Sequence, residues 1–146
     1  MQYLIVDCHS VIFAWPELLK EHQRNQRLAR ERLARLLTEY QDYSGMRVVA
    51  VFDGKGAKFS EATEPGGIQV FYSGVDQTAD DIIERLVAKY AAKHEIQVAT
   101  NDFLEQQTVE TFGAFAMSVE SLLSRMDEAR GDFERRLRKH RRKSNI

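Results

Sequence analysis

The sequence predicts an α/β protein built on a central, mostly parallel sheet of four to five strands. Three observations carry this expectation. The short apolar runs are continuous instead of alternating, as in strands buried on both faces. Longer stretches with apolar residues at helical spacing lie between them, and strand–helix alternation belongs to parallel sheets. Three of the runs also end on, or just before, an aspartate. At 146 residues the chain fits one domain, residues 1–146. That length buries about two-thirds of the unfolded surface without a disulfide or metal staple.

The elements follow in order. Gln2–Val6 is a first strand ending at Asp7. Pro16 opens a helix, since proline suits a first helical position. One long helix is expected from Glu17 to about Tyr43, with Leu18, Leu28, Leu33, Leu36, Leu37 and Tyr40 as its apolar stripe. Ser44-Gly45 ends it. Arg47–Phe52 is a second strand, closed by Asp53, and residues 54–67 read as a polar loop. Ile68–Tyr72 is a third strand. Thr78-Ala79-Asp80-Asp81 reads as a helix start, with Ile83, Leu86, Val87 and Tyr90 behind it. Ile96–Thr100 is a fourth strand, followed by Asp102, which can open a helix. Gly113–Met117 is a short fifth strand, and Ser118 can cap a last helix.

Composition narrows the class. Hydrophobic content of 43% and charged content of 29% suit a globular protein. A single cysteine, Cys8, allows no internal disulfide and fits a reducing compartment. Asp7 interrupts the first apolar run, so it reads as a strand and not as a secretory signal. No run approaches the roughly 20 apolar residues of a membrane span. A cytoplasmic location and no membrane partner are expected. Net charge is −1, but residues 132–146 hold seven Lys or Arg against two acids. A basic helical tail on an acidic body suggests a polyanionic partner, although a solvated terminal helix looks the same in sequence.

The aspartates point to chemistry. Sites in open parallel sheets lie beyond the carboxyl ends of the strands. Asp7, Asp53 and Asp102 fall at or past three such ends, and Asp80 opens the helix after the third. Carboxylates crowded together repel one another unless protons or cations compensate. A hard divalent cation with oxygen ligands, Mg2+ or Mn2+, answers that need, as one ion or two. Taken singly, Asp53-Gly54 reads equally as a turn, and Asp102 as an N-cap with Glu105 completing a capping box.

YLIVDCHSVIFAWPELL, RVVAVFDGKGAK, TADDIIERL and VATNDFLEQ, in this order, resemble the YacP-like NYN ribonucleases of the PIN-domain group. The resemblance covers most of the chain. It implies a PIN/NYN-like three-layer α/β/α fold and metal-dependent endonucleolytic hydrolysis of RNA, with ribosome-bound messenger as a substrate. It places the family's acidic positions on Asp7, Asp53, Asp80 and Asp102, with Asp7, Asp80 and Asp102 as metal ligands. One motif departs from the family: Asp7-Cys8-His9-Ser10 stands where Asp-Gly-Tyr-Asn is usual, so Ser10 takes a supporting place with a shorter side chain. Asp81 and Glu105 are further supporting acids.

No triad is evident around His9, His22, His94 or His140, which read as surface or packing residues. Cys8 reads as a small buried hydrophobe. Lys55 and Lys58 after Asp53, Arg24 and Arg27 on the long helix, and Arg135, Arg138 and Arg142 in the tail are candidates for phosphate contacts. Phe59 is a candidate base-stacking residue. Phe13 and Trp15 could also stack but read first as packing residues. Two alternatives stand beside the nuclease: a catalytically weak RNA- or ribosome-binding module of the same fold, and a receiver-like Mg2+-binding signalling domain.

Overall fold

The computed structural model describes residues 1–54, 60–63 and 67–144. The described strands are β1 (Gln2–Asp7), β2 (Arg47–Phe52), β3 (Ser60–Thr63), β4 (Gln69–Tyr72), β5 (Glu95–Ala99) and β6 (Phe115–Met117). They form one sheet in the order β3-β4-β2-β1-β5-β6, parallel throughout except for β3 against β4. The five parallel strands match expectation. The antiparallel edge strand β3 falls in what reads as loop, because Ser-Glu-Ala-Thr offers no large apolar residue to reveal it.

Taken in chain order, the parallel strands lie 3-2-1-4-5 across the sheet. A receiver-like domain needs 2-1-3-4-5, so that alternative is excluded. The chain adds strands outward from β1 through β2 to β4, then returns to the other side of β1 with β5 and β6. The crevice beyond the carboxyl ends of β1 and β5 is therefore the topological switch point, where this kind of sheet binds its ligands.

The helices are α1 (Cys8–Ala14), α2 (Pro16–Arg24), α3 (Gln26–Ser44), α4 (Ala79–Tyr90), α5 (Phe103–Thr111) and α6 (Val119–Ser144). Strand side chains alternate between two cores. Leu4, Val6, Val48, Ala50 and Phe52 pack with Val11, Leu18, Leu33, Leu37 and Leu122 of α1, α2, α3 and α6. Ile5, Val49, Val51, Phe71 and Val98 pack with Ile83, Val87 and Val109 of α4 and α5. Helices thus cover both faces, giving three layers, and each fully buried aliphatic side chain contributes about 1.5–3 kcal/mol.

Two helical expectations need correction. The long helix is broken at Asn25, which sits extended (φ −158°, ψ 106°) while its Oδ1 accepts from the N–H groups of Arg27 (3.1 Å) and Leu28 (3.3 Å). Asparagine competes well for such caps, and here it starts α3 afresh. Helix α1 has no counterpart in the sequence pattern, because its Val-Ile-Phe run has weak helical propensity. Its start is fixed by Asp7. Leu28 and Tyr90 lie exposed, off the stripes assigned to them, whereas Leu33, Leu37, Tyr40, Ile83 and Val87 are buried. No helix among the described residues is long and apolar enough to cross a membrane.

Candidate active site

Asp7 is the last residue of β1 and the N-cap of α1, and only 6% of it is exposed. Its Oδ1 accepts from Ser10 N–H at 3.4 Å, and its Oδ2 accepts from two hydroxyls, Ser10 Oγ and Thr100 Oγ1, both at 2.8 Å. Each hydroxyl in turn accepts a backbone N–H from the β5–α5 connection: Asn101 to Ser10 Oγ at 3.2 Å, and Asp102 to Thr100 Oγ1 at 3.2 Å. Two backbone dipoles are thereby relayed through two hydroxyls onto one carboxylate oxygen. Chained hydrogen bonds of this kind strengthen one another away from water. Ser10 supports Asp7 despite its short side chain.

Sequence alone assigns no role to Thr100 or Asn101. Thr100 is fully buried. Asn101 fastens the start of α6, accepting from Val119 N–H at 2.8 Å and donating to Glu120 Oε1 at 3.2 Å. The available signal is a Thr-Asn-Asp run where an apolar strand meets a helix.

Asp102 caps α5, its Oδ1 accepting from the N–H groups of Leu104 (3.0 Å) and Glu105 (3.3 Å). Glu105 does not complete a capping box, since the Asp102 N–H goes to Thr100 instead. Glu105 turns inward with Val109, 4% exposed, and its Oε1 has no hydrogen-bond partner. Burial pushes its carboxyl up to about 8, with Asp80, Glu84 and Asp102 adding to the shift.

Asp80 lies half-buried in the first turn of α4. Burial, then the charges of Asp7, Asp102, Glu84 and Asp53, push its carboxyl up to about 6. The other three acids singled out in the sequence therefore each act on Asp80 in the fold, and Glu84, one helical turn from Asp80, joins them. Asp81 does not take part in this group. It is exposed and closes a capping box with Thr78, accepting Thr78 N–H at 3.0 Å while its own N–H donates to Thr78 Oγ1 at 3.1 Å.

Asp53 is exposed beyond β2, and its Oδ1 accepts from Ser73 Oγ at 3.1 Å. Ser73 Oγ accepts from Gly54 N–H at 3.0 Å, and a Cβ on Gly54 would lie 1.9 Å from the Ser73 carbonyl oxygen. Glycine is required there for the close approach of two strand ends.

Other expectations divide. Lys55, Lys58 and Phe59 lie outside the described residues. Arg24 is exposed at the end of α2, and Arg27 pairs with Glu31 at 3.4 Å on α3. Arg135 pairs with Asp132, and Arg138 and Arg142 are exposed along α6. Cys8 is fully buried, its thiol raised well above the usual value by burial and by Asp7. Trp15 packs against the first core as expected, but Phe13 does not; it stands 51% exposed on α1.

A family model for the YacP-like NYN domain matches residues 4–146. The chain belongs to the YacP-like NYN family. It is 35% identical over 141 residues to YacP of Bacillus subtilis (strain 168), covering 95% of this chain and 83% of that protein. It is also similar to the crystal structure of Rae1 (YacP) from Bacillus subtilis, with a TM-score of 0.81 and 34% identity over 99% of this chain and 84% of that one. The W164L mutant of the same protein gives the same TM-score and identity, over 95% and 83%.

The donor chemistry of this NYN site suits a hard cation: the surrounding side chains offer carboxylate and hydroxyl oxygens, and one buried carboxylate oxygen lacks a partner. Among the described residues, no three acidic, imidazole or thiol side chains already stand together at ligand spacing. The arrangement is a loose ring of acids and not a closed cage.

Proposed function

We propose that this chain is a metal-dependent endoribonuclease that hydrolyses RNA phosphodiester bonds at the switch-point carboxylates. The observation that carries the reading is the Asp80 carboxyl, half-buried among Asp7, Asp102, Glu84 and Asp53. Every one of these charges disfavours its ionised form, a strain that a bound cation relieves. Such an arrangement is poor design for stability and good design for holding positive charge against an anionic substrate. Membership of the NYN family supports the nuclease reading.

Asp7, Asp80 and Asp102 are the residues that would hold Mg2+ or Mn2+. The loose ring suits Mg2+, which keeps several waters and binds through one or two carboxylates plus substrate phosphate. Bound there, such an ion would lower the pKa of a water and offset negative charge on the attacked phosphate. The chain's own groups do the rest. Ser10 and Thr100 fix Asp7 through Oδ2 and leave Oδ1 only a long bond from Ser10 N–H. Asp102 spends one oxygen on capping α5 and keeps the other. Asp53 borders the site, held by Ser73. Arg138 and Arg142 on the basic helix draw in the RNA backbone, on messenger RNA at the ribosome or free of it.

The test is a Mn2+ and Mg2+ titration of the purified protein with a generic unstructured RNA, analysed for internal cuts. Cleavage that rises with metal, stops with EDTA and is lost in Asp7→Asn supports the reading. Binding of RNA without cleavage at any metal concentration would leave the non-catalytic RNA-binding module instead.

A further inference from the structure

The two halves of α6 differ in what they touch and in charge. The helix begins at the carboxylate end of the sheet, where Asn101 Oδ1 accepts Val119 N–H and Asn101 N–H donates to Ser10 Oγ. Its first half packs on the core through Leu122, Leu123, Met126 and Ala129. Phe133 then stacks on Tyr43, with ring centroids 4.6 Å apart. Tyr43 closes α3, which leads straight into the start of β2, whereas the acids lie beyond the strand finishes. Helix α6 therefore runs down the height of the sheet and away from the acids, and residues 134–144 continue it by about 16 Å. Residues 119–132 hold four acids against two arginines, but residues 133–144 hold seven Lys or Arg against Glu134 alone.

The far charges are also one-sided. At 100° per residue, Arg136, Arg138, Lys139, Arg142 and Lys143 fall within an arc of roughly 160°, opposite the side that carries Phe133 and Leu137. All five are exposed, and among the described residues none of them pairs with an acid, whereas Arg135 pairs with Asp132. Arg138–Arg142 and Lys139–Lys143 are like-charge pairs four residues apart, which weaken a helix unless an anion lies between them. Leu137 is the one apolar residue from 134 to 144, so there is no apolar face to enter a lipid surface. The same stretch holds no Phe, Tyr or Trp, so it suits phosphates and not bases. A duplex holds its phosphates on a fixed frame. An unpaired strand can bend round the helix and meet the whole arc.

Arg136 and Lys143 lie about 26 and 36 Å along α6 from Val119. A stacked strand advances about 3.4 Å per nucleotide, so roughly 8–11 nucleotides separate this arc from the carboxylates. The acidic first half of α6 gives RNA no hold in between. We infer that the basic arc is a second RNA site, which grips the backbone of the strand being cut about ten nucleotides from the scissile phosphate and so selects long RNA over short fragments. The selection of substrate by length rests on reading the acidic site as a nuclease; the grip itself does not.

The experiment compares the full chain with the triple variant Arg136→Gln/Lys139→Gln/Lys143→Gln on unstructured RNAs of 6 and 24 nucleotides. Binding is read by fluorescence anisotropy in EDTA, and kcat/KM for internal cutting in Mn2+. Wild type should cut the 24-mer with a kcat/KM about tenfold or more above that of the 6-mer, because two linked contacts reinforce each other. The triple variant should bind the 24-mer about tenfold more weakly in EDTA and cut both lengths with similar kcat/KM. The three side chains are exposed and glutamine suits a helix, so the melting temperature should hold. Equal kcat/KM for the two lengths in wild type, or a length advantage that survives in the variant, overturns the inference. So does a 12-base-pair RNA hairpin that binds as tightly as the 24-mer through the same residues, which would give the arc to paired RNA. A grip on the 24-mer in EDTA, lost in the variant, with no cutting in Mn2+ would sink the nuclease and keep the second site.

Discussion

The Thr100 hydroxyl donates to Asp7 Oδ2 at 2.8 Å and accepts the Asp102 N–H at 3.2 Å. One buried side chain therefore sets the orientation of the acid ending β1 and the backbone leading the acid that caps α5. Thr100→Val keeps the shape and removes the hydroxyl. It leaves the Asp102 N–H without its acceptor and Asp7 with one hydroxyl fewer, at a cost of about 1–3 kcal/mol. Loss of such a supporting partner typically weakens metal affinity by roughly 10–100-fold. Urea unfolding and Mn2+ titration by calorimetry check both effects. Unchanged Mn2+ affinity would mean that Thr100 serves only the fold.

Acid crowding fixes the direction of the pH response. Asp80 is raised from 3.8 to about 6 and Glu105 from 4.5 to about 8, both chiefly by burial. In these windows the folded protein binds more protons than the unfolded chain, so stability falls as pH rises. The metal-free protein should melt at a higher temperature near pH 5.5 than near pH 8. Mn2+ should reverse the order, because protons compete with the ion at low pH. Thermal melts at both pH values, with EDTA and with Mn2+, test the reversal. A metal-free protein more stable at pH 8 would contradict the crowding.

Much of this site is legible in the sequence, for a physical reason. Asp7, Asp53 and Asp102 stand out because continuous apolar strands make any charge at or just past their ends conspicuous, and Asp80 because it opens the helix that follows the third of the predicted strands. The capping box of Thr78 and Asp81 is also legible, since it is a local motif. Glu105 misleads for the opposite reason. Its spacing from Asp102 suits a box, but the N–H it would have answered goes to Thr100, a contact set by the path of β5 into α5. The break at Asn25 and the edge strand β3 turn on one cap and one pairing, and neither leaves a periodic signal. Thr100 and Asn101 gain meaning only through the β1–β5 pairing, which brings Ser10 within reach across 90 residues of chain.

The basic helix offers a prediction through salt. Arg138 and Arg142 are exposed on α6, four residues apart and thus on one side of the helix. Replacing both with Gln should weaken binding to single-stranded RNA and make log affinity fall less steeply with log salt, by about 1.4 in slope. Each phosphate of a single strand that an arginine neutralises accounts for about 0.7 of that slope, through the counterions it releases. Cleavage at saturating RNA should hold. A salt slope equal to wild type would reduce this end of α6 to a solvated helix.

Asp80 and Asp81 are neighbours with opposite assignments, and their variants separate the two. Asp81 exchanges bonds with Thr78 at 3.0 and 3.1 Å at the exposed start of α4. Asp81→Ala removes half of that box and should cost about 0.5–2 kcal/mol, with cleavage largely retained. Asp80 points the other way, into the other carboxylates, and each of them raises its pKa. Asp80→Asn keeps the shape and deletes one charge from a crowded group, so the metal-free protein should melt at or above the wild-type temperature. The same change should abolish the Mn2+-induced rise in melting temperature and reduce cleavage by orders of magnitude. Melts with and without Mn2+, beside a cleavage assay, read both variants at once. If Asp81→Ala is the inactive protein and Asp80→Asn an active one of ordinary metal response, the acid that serves the site lies on the capping side of α4, and the proposed ligand set is wrong.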